Sequence, residues 1–256
     1  MKNNNTIIRI ICSLMILLSF TSISLSGTGD NDKDFEKIFN LIYNQAFDEA
    51  SIELIQSKNR LDKWEYQILN LDLLWWEAVS SDSRDNYGRL ENVLENYSSD
   101  LEKVRDPDRL EELITLSYSF RLEAIKGNLI PMMLDFLRIN NIVQQSETDT
   151  LTPEQQEVFK IYLALFNIGK SKLLFNNSRL REQGIEILES TLGSLNPVYR
   201  TISCYFLSKI YLEMDKSPAK ARIYCEQLCN AYPANKIFIY NLELCNNPGT
   251  GPQAPD

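Results

Sequence analysis

Helix-capping residues stand in front of helical apolar runs at four places in this chain, Asp62, Asp106-Pro107, Thr152-Pro153 and Asn196-Pro197, separated by 44, 46 and 44 residues. That interval is about the length of two antiparallel helices with their turns. Each start has a local cause: a short polar side chain accepts hydrogen bonds from otherwise orphaned amides, and proline at the first helical position gives up no useful donor. A chain punctuated in this way is expected to fold as an all-α stack of helical hairpins.

Apolar spacing fills in the hairpins. Phe35, Ile38, Phe39 and Ile42 make one face of a first helix, and Phe47, Ala50 and Leu54 one face of a short second. Asp62-x-x-Glu65 then has the spacing of a capping box. The helix behind it carries two stripes, Trp64, Ile68, Leu71, Trp75 and Ala78 on one side and Tyr66, Leu69, Leu73 and Trp76 on another, so it must be covered on two sides. Its partner has a single stripe of Tyr87, Leu90, Leu94, Tyr97, Leu101 and Val104. A third hairpin runs from Asp106 through Leu113, Ile114 and Phe120, breaks at Gly127-Asn128, and returns with Ile130, Met133, Leu134 and Leu137. A fourth starts at Thr152-Pro153 with Gln155 in the capping-box position, turns near Asn176-Asn177-Ser178, and returns through Leu180, Gly184, Ile187 and Leu188. Ala234 to Leu244 is expected to lie over the exposed end of the stack.

The N-terminus reads as an export signal over residues 1–26, with Lys2 and Arg9 ahead of and within an apolar run from Ile7 to Phe20 and small residues at Ser24-Leu25-Ser26. Cys12 lies inside that run, so no lipid-attachment site is expected. Residues 27–33 read as a flexible lead-in, 34–245 as the helical domain and 246–256, rich in Pro and Gly, as a disordered tail. Without residues 1–26 the chain keeps 24 Lys and Arg against 35 Asp and Glu, a net charge of −11. Such a surface repels phosphate backbones, which excludes nucleic acid as the expected partner.

Histidine is absent, which removes Ser-His-Asp and Cys-His nucleophile activation, His-ligated zinc and imidazole general bases. The 9 glycines form no phosphate-cradling loop or dinucleotide fingerprint. No cofactor and no metal are implied. Asp72 and Glu77, close in sequence to Trp75 and Trp76, are the carboxylates to weigh for glycoside chemistry, although helical spacing already accounts for both tryptophans as packing. Cys204, Cys225, Cys229 and Cys245 crowd the last fifth of the chain. Cys225 and Cys229 share a helix face, so either pairs across elements with Cys204 or Cys245, or all four are buried apolar thiols. No C-x-x-C pair is present, so zinc is not expected.

The last unit, with Leu207, Ser208 and Tyr211 in its first helix, Ser217-Pro218 at the start of the second, and Ala221, Cys225, Leu228 and Pro233 following, resembles the tetratricopeptide repeat. Phe47-Asp48-Glu49-Ala50 is similar to the start of a second helix of that family. The last unit departs from the pattern by one extra residue in its turn, by Cys204 where tryptophan or leucine is usual, and by Leu228 in place of alanine. The resemblance implies a right-handed α-solenoid of about five antiparallel helix pairs, with a concave groove lined by first helices. It would put Tyr205 and Lys209 in that groove, with Asn70, Arg121 and Asn167 as analogous positions and Trp76 as an aromatic contact. The function so implied is an exported, non-enzymatic scaffold of the periplasm or cell surface that binds a protein or peptide. A glycan-binding accessory protein of the cell envelope, similar to the starch-utilisation type, is the alternative. No membrane span is expected once the signal is removed.

Overall fold

A computed structural model describes residues 30–145, 151–173, 177–194 and 196–247, so the expected signal peptide and residues 248–256 of the expected tail lie outside the described residues. Eleven α-helices fill these segments, with no strand among the described residues. They are α1 (Asp30–Tyr43), α2 (Phe47–Ser57), α3 (Lys63–Ser81), α4 (Arg84–Glu102), α5 (Arg109–Lys126), α6 (Leu129–Gln145), α7 (Pro153–Leu173), α8 (Ser178–Thr191), α9 (Pro197–Lys209), α10 (Pro218–Ala231) and α11 (Lys236–Asn246). Helix α1 includes Asp30 to Lys33, inside the stretch expected as a lead-in. Neighbouring helices pack in pairs, α1 on α2, α3 on α4, α5 on α6, α7 on α8 and α9 on α10, and α11 then lies on α10.

The caps explain where the helices start. Asp62 and Glu65 close a reciprocal box, in which the Asp62 amide donates to Glu65 Oε2 at 2.8 Å. Thr152 and Gln155 do the same, with the Thr152 amide on Gln155 Oε1 at 3.0 Å and the Gln155 amide on Thr152 Oγ1 at 3.3 Å. Asn196 Oδ1 accepts from the Val198 amide at 2.8 Å, across Pro197 in the first turn. The third start moves by two residues from the expected Asp106. Asp108 is the cap, because its carboxylate takes both the Leu110 and Glu111 amides, at 2.9 and 3.0 Å. Gly127 ends α5 at φ 76°, a left-handed conformation that glycine adopts without a Cβ clash.

The first helices of the hairpins are buried nearly all round. Both stripes of α3 enter the core, as do Leu113, Ile114, Tyr118 and Phe120 of α5 and Val158, Ile161, Tyr162 and Leu165 of α7. Polar rungs join α3 to α5: Gln67 Nε2 donates to Thr115 Oγ1 at 2.6 Å and to the Glu111 carbonyl at 3.1 Å, and the Tyr118 hydroxyl donates to the buried Asp72 carboxylate. The second helices bury one side only. In α4 these are Leu90 and Leu94, while Val104 lies beyond the helix and is exposed. Gly184 lets α8 approach α7 so closely that a Cβ there would meet the Ala164 carbonyl oxygen and Ile168 Cγ1, each at 2.5 Å.

After α9 the chain continues as a π-helical turn, Ile210–Met214, in which the Asp215 amide donates to the Ile210 carbonyl at 3.1 Å.

The first and last hairpins touch: the Tyr232 hydroxyl donates to Asn40 Oδ1 at 3.0 Å and Asn235 Nδ2 to the Tyr43 carbonyl at 2.8 Å, both 192 residues away in sequence. A further expectation is corrected at α6, which was expected to present Ile130, Met133, Leu134 and Leu137 to the core. All four are exposed, and the helix buries Met132, Asp135, Ile139 and Ile142.

Candidate functional site

The residues expected to line a groove converge on the interior. Trp76, from α3, has no exposed surface. Its ring packs against Tyr43 of α1 at 5.2 Å between centroids, Tyr205 of α9 at 5.8 Å and Phe238 of α11 at 5.7 Å. Edge-to-face contacts at these separations add to the burial of large rings. Tyr205 is therefore a core residue, and burial pushes its hydroxyl well above the ordinary tyrosine range. Arg121 is buried over the Tyr118 ring, 4.1 Å from its centroid, and within 5.6 Å of the Trp75 centroid. Lys209 is buried and ion-paired one turn on with Glu213.

Asn70 and Asn167 lie half-buried. Asn70 Nδ2 donates to the Tyr97 hydroxyl at 3.1 Å, a bond between α3 and α4. Burial raises that hydroxyl to about 12, against the opposing pull of the Asn70 bond. Of the six expected contact residues, four stand inside a closed core. Their common signal, polar or aromatic residues on first helices, marks the centre of this molecule instead of a trough, because α1 and α11 close over it.

Closure also separates the chemistry weighed for sugars. Trp76 offers no ring face to solvent. Asp72 is buried against Tyr118, whereas Glu77 stands at the rim of a surface cleft, paired with Arg89 at 2.9 Å. The two carboxylates do not share an opening. That cleft, about 600 Å³, lies beside the α1–α2 turn, and its polar groups hold one another: Gln45 Nε2 donates to Ser80 Oγ at 3.0 Å, and Asn86 Nδ2 to Ser81 Oγ at 3.0 Å. A second cleft of about 580 Å³ runs between α1, α9 and α10, past Asn40, Arg200, Thr201 and Gln227. Between α4 and α5 a smaller one, about 300 Å³, is acidic, with Glu91, Glu95, Glu102 and Glu123 on its walls. Among the described residues no cluster of Cys, Asp or Glu is arranged to hold a metal ion.

The surface feature that stands out is α6. Ile130 is 77% exposed, Leu134 57% and Leu137 53%, with Met133 beside them and Leu129 and Ile125 at the α5–α6 turn. Ile130, Met133, Leu134 and Leu137 are spaced by three and four, so they form one stripe along one side of the helix. Arg138, paired with Glu112 at 3.2 Å, is the only exposed charge on α6. The opposite side is anchored by Phe136, stacked on Phe166 of α7 at 5.0 Å, and by Asp135, which accepts from the Ser119 hydroxyl at 2.7 Å. Burial raises the Asp135 carboxyl above the ordinary aspartate range, with the Ser119 bond and nearby Arg138 pulling it back. Single exposed apolar residues are common on monomers, and a contiguous stripe is less so.

Comparison with protein-family models, curated proteins and solved structures finds no match. No described helix is long and apolar enough to cross a membrane.

Proposed function

We propose that this chain is an exported, non-catalytic scaffold whose contact surface is the outer side of α6. In this reading the hairpins are tetratricopeptide-like units of right-handed sense, drawn together until the first and last meet. The occupant is an amphipathic helix of another protein that brings an apolar stripe flanked by basic residues. The uncovered Ile130, Met133, Leu134 and Leu137 carry the reading, because their spacing of three and four suits helix-on-helix packing. The net charge of −11 left once residues 1–26 are removed supports a basic partner, since opposite potentials speed encounter and disfavour acidic competitors.

The direct test titrates two synthetic amphipathic peptides, equal in their apolar stripe but flanked by Lys in one and Glu in the other, against the full chain by fluorescence anisotropy. The Lys-flanked peptide should bind, and a Leu134→Asp/Leu137→Asp variant with unchanged circular dichroism should lose that binding. Equal binding of both peptides, or binding indifferent to the double substitution, would reject the surface. Export is tested separately by the N-terminal sequence of the protein recovered from its cell: a start after Ser26 supports it, and a start at Met1 in the cytosol rejects it.

A further inference from the structure

We infer that Cys225 and Cys245 form a disulfide that latches the terminal helix α11 to α10. In the structure their sulfurs are 3.7 Å apart, the Cys245 thiol donating to Cys225, and both residues are buried between two helices that pack along one another. A disulfide needs about 2.05 Å between sulfurs, so the thiols must close by roughly 1.7 Å, within reach of side-chain rotation. Cys204 is held elsewhere: its thiol donates to Gln227 Oε1 at 3.0 Å, which points it away from the pair. Cys229, one turn along α10 from Cys225, is the most exposed of the four and stays reduced.

Oxidation proceeds by exchange with a low-molecular-weight disulfide such as oxidised glutathione. Cys245, slightly exposed where Cys225 is fully enclosed, attacks first as its thiolate, forming a mixed disulfide and releasing one small thiol. The Cys225 thiolate then attacks the Cys245 sulfur and releases the second. Two protein thiols become one disulfide, two electrons pass to the oxidant, and the two protons leave on the two small thiols. Burial raises both thiols above the ordinary cysteine range, so the reaction at neutral pH is slow and runs faster as pH rises.

The latch has a structural consequence because α11 carries Phe238, which packs between Tyr43, Trp76, Tyr205 and Tyr232 at the junction of the first and last hairpins. A link from Cys225 to Cys245 would hold that plug in place.

The full chain is incubated with a defined mixture of oxidised and reduced glutathione, denatured, alkylated and digested with trypsin without reduction, cleavage at Lys236 falling between the two cysteines. Two alkylatable thiols should disappear, one linked peptide should join Cys225 to Cys245 by tandem mass spectrometry, and the thermal midpoint should rise on oxidation. The Cys229→Ser variant should keep the link and the midpoint rise, and the Cys245→Ser variant should lose both. Should Cys245→Ser not fold, Cys225→Ala serves the same purpose. Retention of all thiols, glutathione adducts alone, or a link through Cys204 or Cys229 in the wild-type chain would each overturn the inference.

Discussion

Helices α3 and α6 are both rich in apolar residues on more than one side, yet one is enclosed and the other is left half bare. In α3 the two stripes find two sets of neighbours, Tyr43 and Phe238 around Trp76 on one side and Tyr118 of α5 beside Trp75 on the other. In α6 only one side finds a neighbour, through Phe136 on Phe166 and Asp135 on Ser119, and the stripe from Ile130 to Leu137 faces outward. Apolar content therefore does not distinguish core from exposed surface in this protein. The distinction lies in which helices stand first in their hairpins and so become surrounded.

The largest effect expected from that contrast is at the centre. Trp76→Ala removes a fully buried ring and should cost about 3–5 kcal/mol, read as a lowered denaturation midpoint in urea. A loss below 1 kcal/mol would mean that the junction of α1, α3, α9 and α11 is not packed as described. Gly184→Ala tests the close approach of α8 to α7, where backbone and Ile168 both obstruct a Cβ, and should cost about 1–3 kcal/mol. Neutral behaviour would place these helices farther apart. Asp108→Ala should cost about 1 kcal/mol by stripping two amides of α5, whereas Asp106→Ala should be nearly silent. A reversal of that order would restore the start expected from sequence.

Acid titration sharpens the view of the buried side of α6. Because the folded Asp135 carboxyl binds its proton more tightly than in the unfolded chain, its contribution is complete below the unfolded value and declines as pH rises through the folded one. The wild-type midpoint should therefore fall relative to Asp135→Asn as pH is raised across the acid range, and parallel curves would show that Asp135 is not desolvated. Smallest of all is Leu134→Asp, which on an uncovered surface should change stability by no more than ~0.5 kcal/mol. A loss as large as that of Trp76→Ala would show that the stripe is packed within the folded chain.

Much of the local structure was legible because its causes are local. The capping boxes at Asp62 and Thr152, the Asn196-Pro197 start and the Gly127 stop depend on residues within one turn of each other, and each was found where expected. Asp106 was mistaken for Asp108 because both precede the same helix and only the hydrogen bonds choose between them. The groove residues were misplaced for a different reason. Lys209 was expected in a groove from the tetratricopeptide-like register and Arg121 by analogy of helix, but Glu213 pairs the first and the rings of Tyr118 and Trp75 receive the second. No spacing rule reports such partners in advance.

By itself, then, the order of residues determined that this protein is helical, where several of its helices begin and end, and that they pair with their neighbours, since caps and a period near 3.6 act over one or two turns. Tertiary structure alone decided that the first and last hairpins meet, that Trp76 and Tyr205 are core, that α6 turns Met132 inward and Leu134 outward, and that two thiols come within reach. Each of those outcomes depends on which of several apolar sides gains the better neighbour, a competition between residues far apart in the chain.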